Sequence, residues 1–283
     1  MEKLEFCYED WLVREKAGIL NLVKTTFSNR GESISDFDLG QISIVFDIAA
    51  QCHDENDVRD SGEWYLIHPI AVTTILLLEF TDTNITQILI ALLHDTIEKD
   101  RIFATIISER LSQDMTNHVL AISKKELTAY VEGRPEPDRL LFQSDKILNE
   151  YVPRYAPHIV LDTEETAIIK EGQYFLMRAL KRERNHEYFL GLETLDDDEW
   201  RAKVADRLHN LRTIDSCTPD KQQSTIASTK CYLLLIAERR DPRAYQLLIT
   251  ELEKTENRLA EQTIDATRKN NKKRIHDAFG ENA

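Results

Sequence analysis

The stretch "LLHDTIEKD", residues 92–100, sets His94 beside Asp95 at the end of an apolar run, then adds Glu98 and Lys99. An imidazole next to a carboxylate is a donor pair suited to a divalent cation. On a continuous helix Glu98, four residues after His94 and three after Asp95, shares their face. A second stretch, "KVADRLHNLRT" (203–213), puts Asp206 and Asn210 four residues apart, on a face opposed to Val204, Leu208 and Leu211. Imidazole with hard oxygen ligands suits Mn²⁺, Fe²⁺ or Zn²⁺. Such an ion with open positions acidifies water and neutralises phosphate oxygens, so the chemistry indicated is hydrolysis at phosphorus.

The elements that must position these groups are helical. "DTNITQILIALLHDTIE" (82–98) starts at a Thr or Asn cap and carries Ile85, Ile88, Leu89 and Leu92 on one stripe, the spacing of a buried helix. "HPIAVTTILLLEF" (68–80) puts Pro69 at a first helical position, with His68 at the helix mouth. Upstream, Leu12, Ile19, Leu20 and Val23 predict a helix that ends at "SNRGES", and Ser35 and Asp36 are capping candidates for another running to about His53. The polar "DENDVRDSGEW" between them is a loop holding Arg59, Ser61 and Gly62. An acidic first turn opens the helix over "DDDEWRAKVADRLHNLRTI", and two more helices joined through "ERRDPRAY" follow over 219–262.

With 8 glycines and 7 prolines in 283 residues, turn signals are too sparse for a sheet-rich fold, and a mostly α chain is expected. The least regular part, about 125–185, contains "GRPEPDRL" and "YVPRYAPHIVLD" and is read as an insertion into a single domain, either a lid or a surface excursion; Arg154, Lys170 and Arg182 lie in it. Thirty-six basic against 50 acidic residues give a net charge of −14, which disfavours broad nucleic-acid binding and requires a locally basic pocket for any anionic substrate. The basic run "TRKNNKKRIHDAF" (267–279) suits a solvated helix or tail. Cys7, Cys52, Cys217 and Cys231 have no CxxC spacing and are expected as small buried side chains. No window approaches the roughly 18 to 20 apolar residues that span a bilayer, and the N-terminus is too charged for a signal peptide, so a cytoplasmic protein is expected.

The order "RDSGEWYLIHPIAV", "ALLHDTIE", "KVADRLHNLRT" resembles the hydrolase domain of RelA/SpoT-type alarmone enzymes within the HD phosphohydrolase superfamily, and in scope the small alarmone hydrolases. The resemblance covers about 38–240, interrupted by the insertion, and leaves 241–283 as a C-terminal helical extension. It implies an all-helical HD fold with one metal, usually Mn²⁺, on His68, His94, Asp95 and Asp206, removing the 3′-pyrophosphate of ppGpp or pppGpp. It further implies nucleotide contacts from Arg59, with Ser61 nearby, and from Asn210, and a catalytic role for Glu98 on the attacking water. His209 and Arg212 belong to the same motif as groups that contact substrate or pack within the helix.

The chain departs from the family at Lys99, where the resembled enzymes carry an aspartate after the glutamate. Three outcomes follow: Lys99 binds the leaving pyrophosphate, Lys99 pairs with Asp95 and weakens the metal site, or Asp100 stands in because the helix ends early. The alternatives in function are a weakened HD protein that binds a nucleotide or partner as a regulator, and a hydrolase of a related nucleotide such as ppApp or NADPH. Oligomeric state, including a homo-oligomer, stays open.

Overall fold

Local signals start and stop the helices much as the spacing predicts. The computed structural model describes residues 7–132 and 178–279. Helix α1, Tyr8–Asn29, buries Trp11, Ile19, Val23 and Phe27 and ends before Gly31, whose φ of 75° suits a residue without a Cβ. Helix α2, Asp36–Cys52, is capped by Ser35, whose hydroxyl accepts the Asp38 N–H at 3.1 Å. Helix α3, Ile67–Glu79, begins two residues earlier than Pro69 predicts. The proline still lies in the first turn, where its missing N–H has no intrahelical partner to lose.

Helix α4, Ile85–Leu93, is capped by Asn84, which accepts the Gln87 N–H at 2.9 Å, and it is nearly all buried. Its Ile88, Leu89, Leu92 and Leu93 each contribute about 1.5 to 3 kcal/mol of burial, which fixes this helix in the core. The continuous helix expected through Glu98 is not found. The chain breaks at His94–Asp95 and resumes as the single turn α5, Thr96–Lys99. Two side chains explain the break: His94 Nδ1 faces the Ala91 carbonyl at 2.7 Å, and the Thr96 hydroxyl donates to the Leu93 carbonyl at 2.7 Å. Helices α6, Ile102–Arg110, and α7, Gln113–Ile122, follow.

The chain up to Ile122 and from Leu195 onward forms one compact unit, and Ser123–Thr194 forms another. In the second, α8 (Leu127–Glu132) and α9 (178–191) are joined by a Tyr130 hydroxyl to Glu187 hydrogen bond of 2.8 Å, and Arg184 donates to the Lys125 carbonyl. Much of the predicted insertion, with Arg154 and Lys170, lies outside the described residues; Arg182 is on α9.

Back in the first unit, α10, Asp197–Arg212, opens with the only complete capping box among the described residues: Asp196 accepts the Asp198 and Glu199 N–H groups while Glu199 accepts the Asp196 N–H. Helix α11 (Pro219–Ser228) runs through a π-turn, Thr229–Leu233, into α12 (Leu234–Arg240), and α13 spans Pro242–Phe279. The two helices expected over 219–262 are thus a bent pair plus one helix that continues through the basic run. Helix α10 packs against α3, α4 and α13, with α2 on α4 and α1 on α2 and α3. All regular elements among the described residues are helical, with one isolated bridge, Val58 to Trp64, so the class is all-α. Of the four free thiols only Cys52 is buried; Cys7 and Cys231 are exposed and Cys217 is intermediate.

Candidate metal centre

Three helices meet where α3 begins, α4 ends and α10 passes its middle, and each brings a donor there. His68 Nε2 and His94 Nε2 lie 3.0 Å apart. Asp95 Oδ2 is 3.5 Å from the first and 3.2 Å from the second, and Asp206 Oδ1 is 3.3 and 3.8 Å from the same two atoms. The His68, His94 and Asp206 donors fall within 4.8 Å of one another. Adjacent ligands on an ion with bonds of about 2.1 Å sit about 3 Å apart, so the spacing is that of a coordination shell.

Hydrogen-bond partners decide which nitrogens carry lone pairs. His94 Nδ1 faces a carbonyl and must donate, leaving Nε2 unprotonated in the neutral ring. His68 Nδ1 lies 2.7 Å from His209 Nδ1, which also receives the Arg59 guanidinium at 3.3 Å. A guanidinium only donates, so His209 Nδ1 accepts and His68 Nδ1 is the donor. Both Nε2 lone pairs therefore point at each other between two carboxylates. In the neutral rings that arrangement repels itself unless a proton or a metal ion sits between the donors, and the donor set fits a divalent cation.

The carboxylates and imidazoles also shift one another. Burial opposes charge on His94, but Asp95 and Asp206 outweigh it and hold its pKa above the ordinary value. Burial would raise both carboxyls, yet His94 and His68 keep Asp95 well below the usual carboxylate range, and Lys203 and His68 do so for Asp206. His209 is pushed down to about 3 by burial, then by His68 and Arg59, as an accepting imidazole requires.

The remaining candidates divide. The Asn210 amide donates to Asp206 Oδ1 at 2.6 Å, which ties it to the centre. Arg59 reaches His209 and the Thr213 hydroxyl, each at 3.3 Å, from a turn closed by the Gly62 N–H on its own carbonyl, with Gly62 at φ 83°. Ser61 is exposed and donates to Glu63, away from the centre. Glu98 is exposed on α5. Lys99 binds Asp57, a partner none of the three sequence outcomes includes. The helix does end early, with Asp100 extended, but its carboxylate accepts the Ile102 N–H at 2.9 Å, at the start of the next helix. Arg212 packs as a structural pair, bonding Glu79 at 2.6 Å and Glu251 at 3.1 Å.

Three contributors carried weaker sequence signals. Tyr65, one turn before His68, donates its hydroxyl to Asp95 Oδ2 at 2.8 Å. Buried Lys203 pairs with Asp206 Oδ2 at 2.9 Å, a spacing of three that was available in the motif. His53, four residues before Asp57, bonds it at 2.7 Å.

Fold and site together define an all-α protein with a candidate centre of two histidines and two carboxylates. No family model matches the sequence. Over 246 residues the chain is 26% identical to the bifunctional (p)ppGpp synthase/hydrolase SpoT of Escherichia coli K12, covering 83% of this chain and 27% of that protein. It is 26% identical over 201 residues to a probable GTP pyrophosphokinase of Mycobacterium leprae, covering 71% and 19% respectively. A third relative at 26% over 182 residues is the guanosine-3′,5′-bis(diphosphate) 3′-pyrophosphohydrolase of Haemophilus influenzae, covering 64% and 20%. The chain thus spans about a quarter or less of the length of these curated relatives. Among the described residues no helix is long and apolar enough to cross a membrane.

Proposed function

We propose that this chain is a metal-dependent phosphohydrolase of guanosine alarmones, acting on the 3′-pyrophosphate of ppGpp or pppGpp. The observation that carries the reading is the pair of histidine Nε2 atoms, 3.0 Å apart, between Asp95 and Asp206. The names of the relatives support the substrate class. A divalent ion, Mn²⁺ foremost with Fe²⁺ or Zn²⁺ as alternatives, would be held by His68, His94, Asp95 and Asp206 and would supply positive charge to phosphate oxygens and acidify water.

The protein's own groups do the rest. Tyr65 and Asn210 hold the two carboxylates in orientation, and His209 holds the His68 ring. Arg59, bonded only at 3.3 Å to His209 and Thr213, turns to the nucleotide phosphates. Glu98 takes a proton from the attacking water. The water oxygen bonds to the phosphorus next to the ribose, the bond from that phosphorus to the 3′ oxygen breaks, and the 3′ oxygen gains a proton as pyrophosphate leaves.

The test is incubation of purified protein with Mn²⁺ and ppGpp, read for pyrophosphate and GDP, beside Asp95→Ala. Stoichiometric release that Asp95→Ala abolishes supports the reading. No release from folded, metal-loaded protein with ppGpp, ppApp or NADPH overturns it in favour of a nucleotide- or partner-binding regulator.

A further inference from the structure

The loop between α2 and α3 is strongly acidic: Asp54, Glu55, Asp57, Asp60 and Glu63 surround a single basic residue, Arg59. A polyanion approaching Arg59 would meet net negative charge. Two lysines from other helices neutralise part of it, Lys221 of α11 on Asp60 at 2.9 Å and Lys99 of α5 on Asp57. The loop is therefore fastened at separate points, since Arg59 also reaches His209 and Thr213 of α10.

The Arg59 fastening leads through His209 to His68, and the Lys99 fastening leads to the other side of the metal centre, at Asp95. Asp57 Oδ2 accepts both the Lys99 ammonium and His53 Nδ1, the latter at 2.7 Å. The His53 ring stacks on Tyr65, with centroids 4.6 Å apart and planes 16° from parallel. Tyr65 donates its hydroxyl to Asp95 Oδ2, and its backbone N–H returns to the Asp57 carbonyl at 2.8 Å. A closed path thus runs from Lys99 through Asp57, His53 and Tyr65 to Asp95, four residues before Lys99. An aspartate at 99 would instead face Asp57 with a second carboxylate.

We propose that Lys99 is a positioning residue: its ion pair with Asp57 locks the acidic Arg59 loop against α5 and sets the Tyr65 to Asp95 bond, so that the loop accepts the phosphates of a nucleotide. This rests on the phosphohydrolase reading above. The role explains a lysine at a position where the resembled enzymes carry an acid, without placing the ammonium on the reacting atoms. It also explains why Asp57, four residues after His53 and only partly exposed, is not left with a single donor.

The test is a double-mutant cycle on Lys99→Met and Asp57→Asn, with Lys99→Arg as the conservative variant. Steady-state hydrolysis of ppGpp with Mn²⁺ and amide hydrogen exchange over 54–64 in nucleotide-free protein are the two readouts. Lys99→Met is expected to raise KM about tenfold with kcat within about threefold, and to speed exchange in the loop. Lys99→Arg should return both to within about threefold of the parent, and the double variant should be no worse than either single one. A fall in kcat with KM unchanged, additive effects, or loop exchange unaltered in Lys99→Met overturns the proposal. If the parent protein hydrolyses none of the nucleotides, the functional reading fails, while the exchange data still decide whether the pair locks the loop.

Discussion

Two groups of histidine and carboxylate lie in the same compact unit, and their hydrogens set them apart. At His68, His94, Asp95 and Asp206, outer partners consume the ring N–H groups and leave lone pairs converging on a buried point. At His118, Asp196 and Glu199, the donors are also close, with His118 Nδ1 3.0 Å from Glu199 and 3.5 Å from Asp196. There, however, the carboxylates already cap α10, and His118 can satisfy its ring by donating to Glu199. Proximity of ligand types is common to both; only in the first do outer partners turn ring nitrogens toward one shared point. A ligand set is thus recognised by where the protons are forced to go as well as by distance.

The comparison breaks first, and by the largest effect, in metal content. His68→Ala or Asp206→Ala should lose the bound ion and at least about 10³-fold of hydrolytic activity, while His118→Ala keeps both. Elemental analysis after dialysis and a pyrophosphate assay on the three folded variants decide it. Equal metal loss in His118→Ala would make the two clusters alike.

A second effect, about 10- to 100-fold in metal affinity, is expected from His209→Ala, which removes the acceptor that fixes the His68 tautomer. Calorimetric titration with Mn²⁺ measures it. Next comes pH. Because the carboxylates hold the His94 pKa above its ordinary value, a proton competes with a cation for that ring. Affinity should fall as pH drops through the raised value, by at most about tenfold per unit, with proton release on binding. The ion-free fold shows the reverse linkage from this group: its contribution to stability is full below 6.5 and is lost as pH rises through the raised value.

The smallest effect belongs to the capping cluster. Asp196→Ala should cost about 1 kcal/mol, a fall in Tm of about 2 to 4 °C, with metal content unchanged. A loss of bound metal in that variant would show that α10 needs its cap to place Asp206.

Much of this centre was legible in the chain because its donors sit in short motifs beside apolar helix stripes: His68 before "PIAV", His94–Asp95 after "IALL", Asp206 inside "KVADRLHNL". Periodicity also placed α4 and the buried face of α10. The break at His94–Asp95 was not legible, because it depends on side chains taking the Ala91 and Leu93 carbonyls in place of the helix. Lys99 illustrates the wider gap. Spacing offered Asp95, four residues back, as its partner, whereas the ammonium meets Asp57, 42 positions away in sequence. Lys99→Asp should therefore weaken nucleotide binding. His209 shows the same limit: its place in the motif was visible, but its bond to His68 spans 141 positions and required the fold.

The most direct measurement of the central claim is pulsed electron paramagnetic resonance of Mn²⁺ bound to the purified protein, counted by elemental analysis. One ion per chain, with nitrogen couplings from two histidines that fall to one in His94→Ala, is the expected result. Folded protein that binds no ion, or an ion whose nitrogen couplings persist unchanged in His94→Ala, would contradict it.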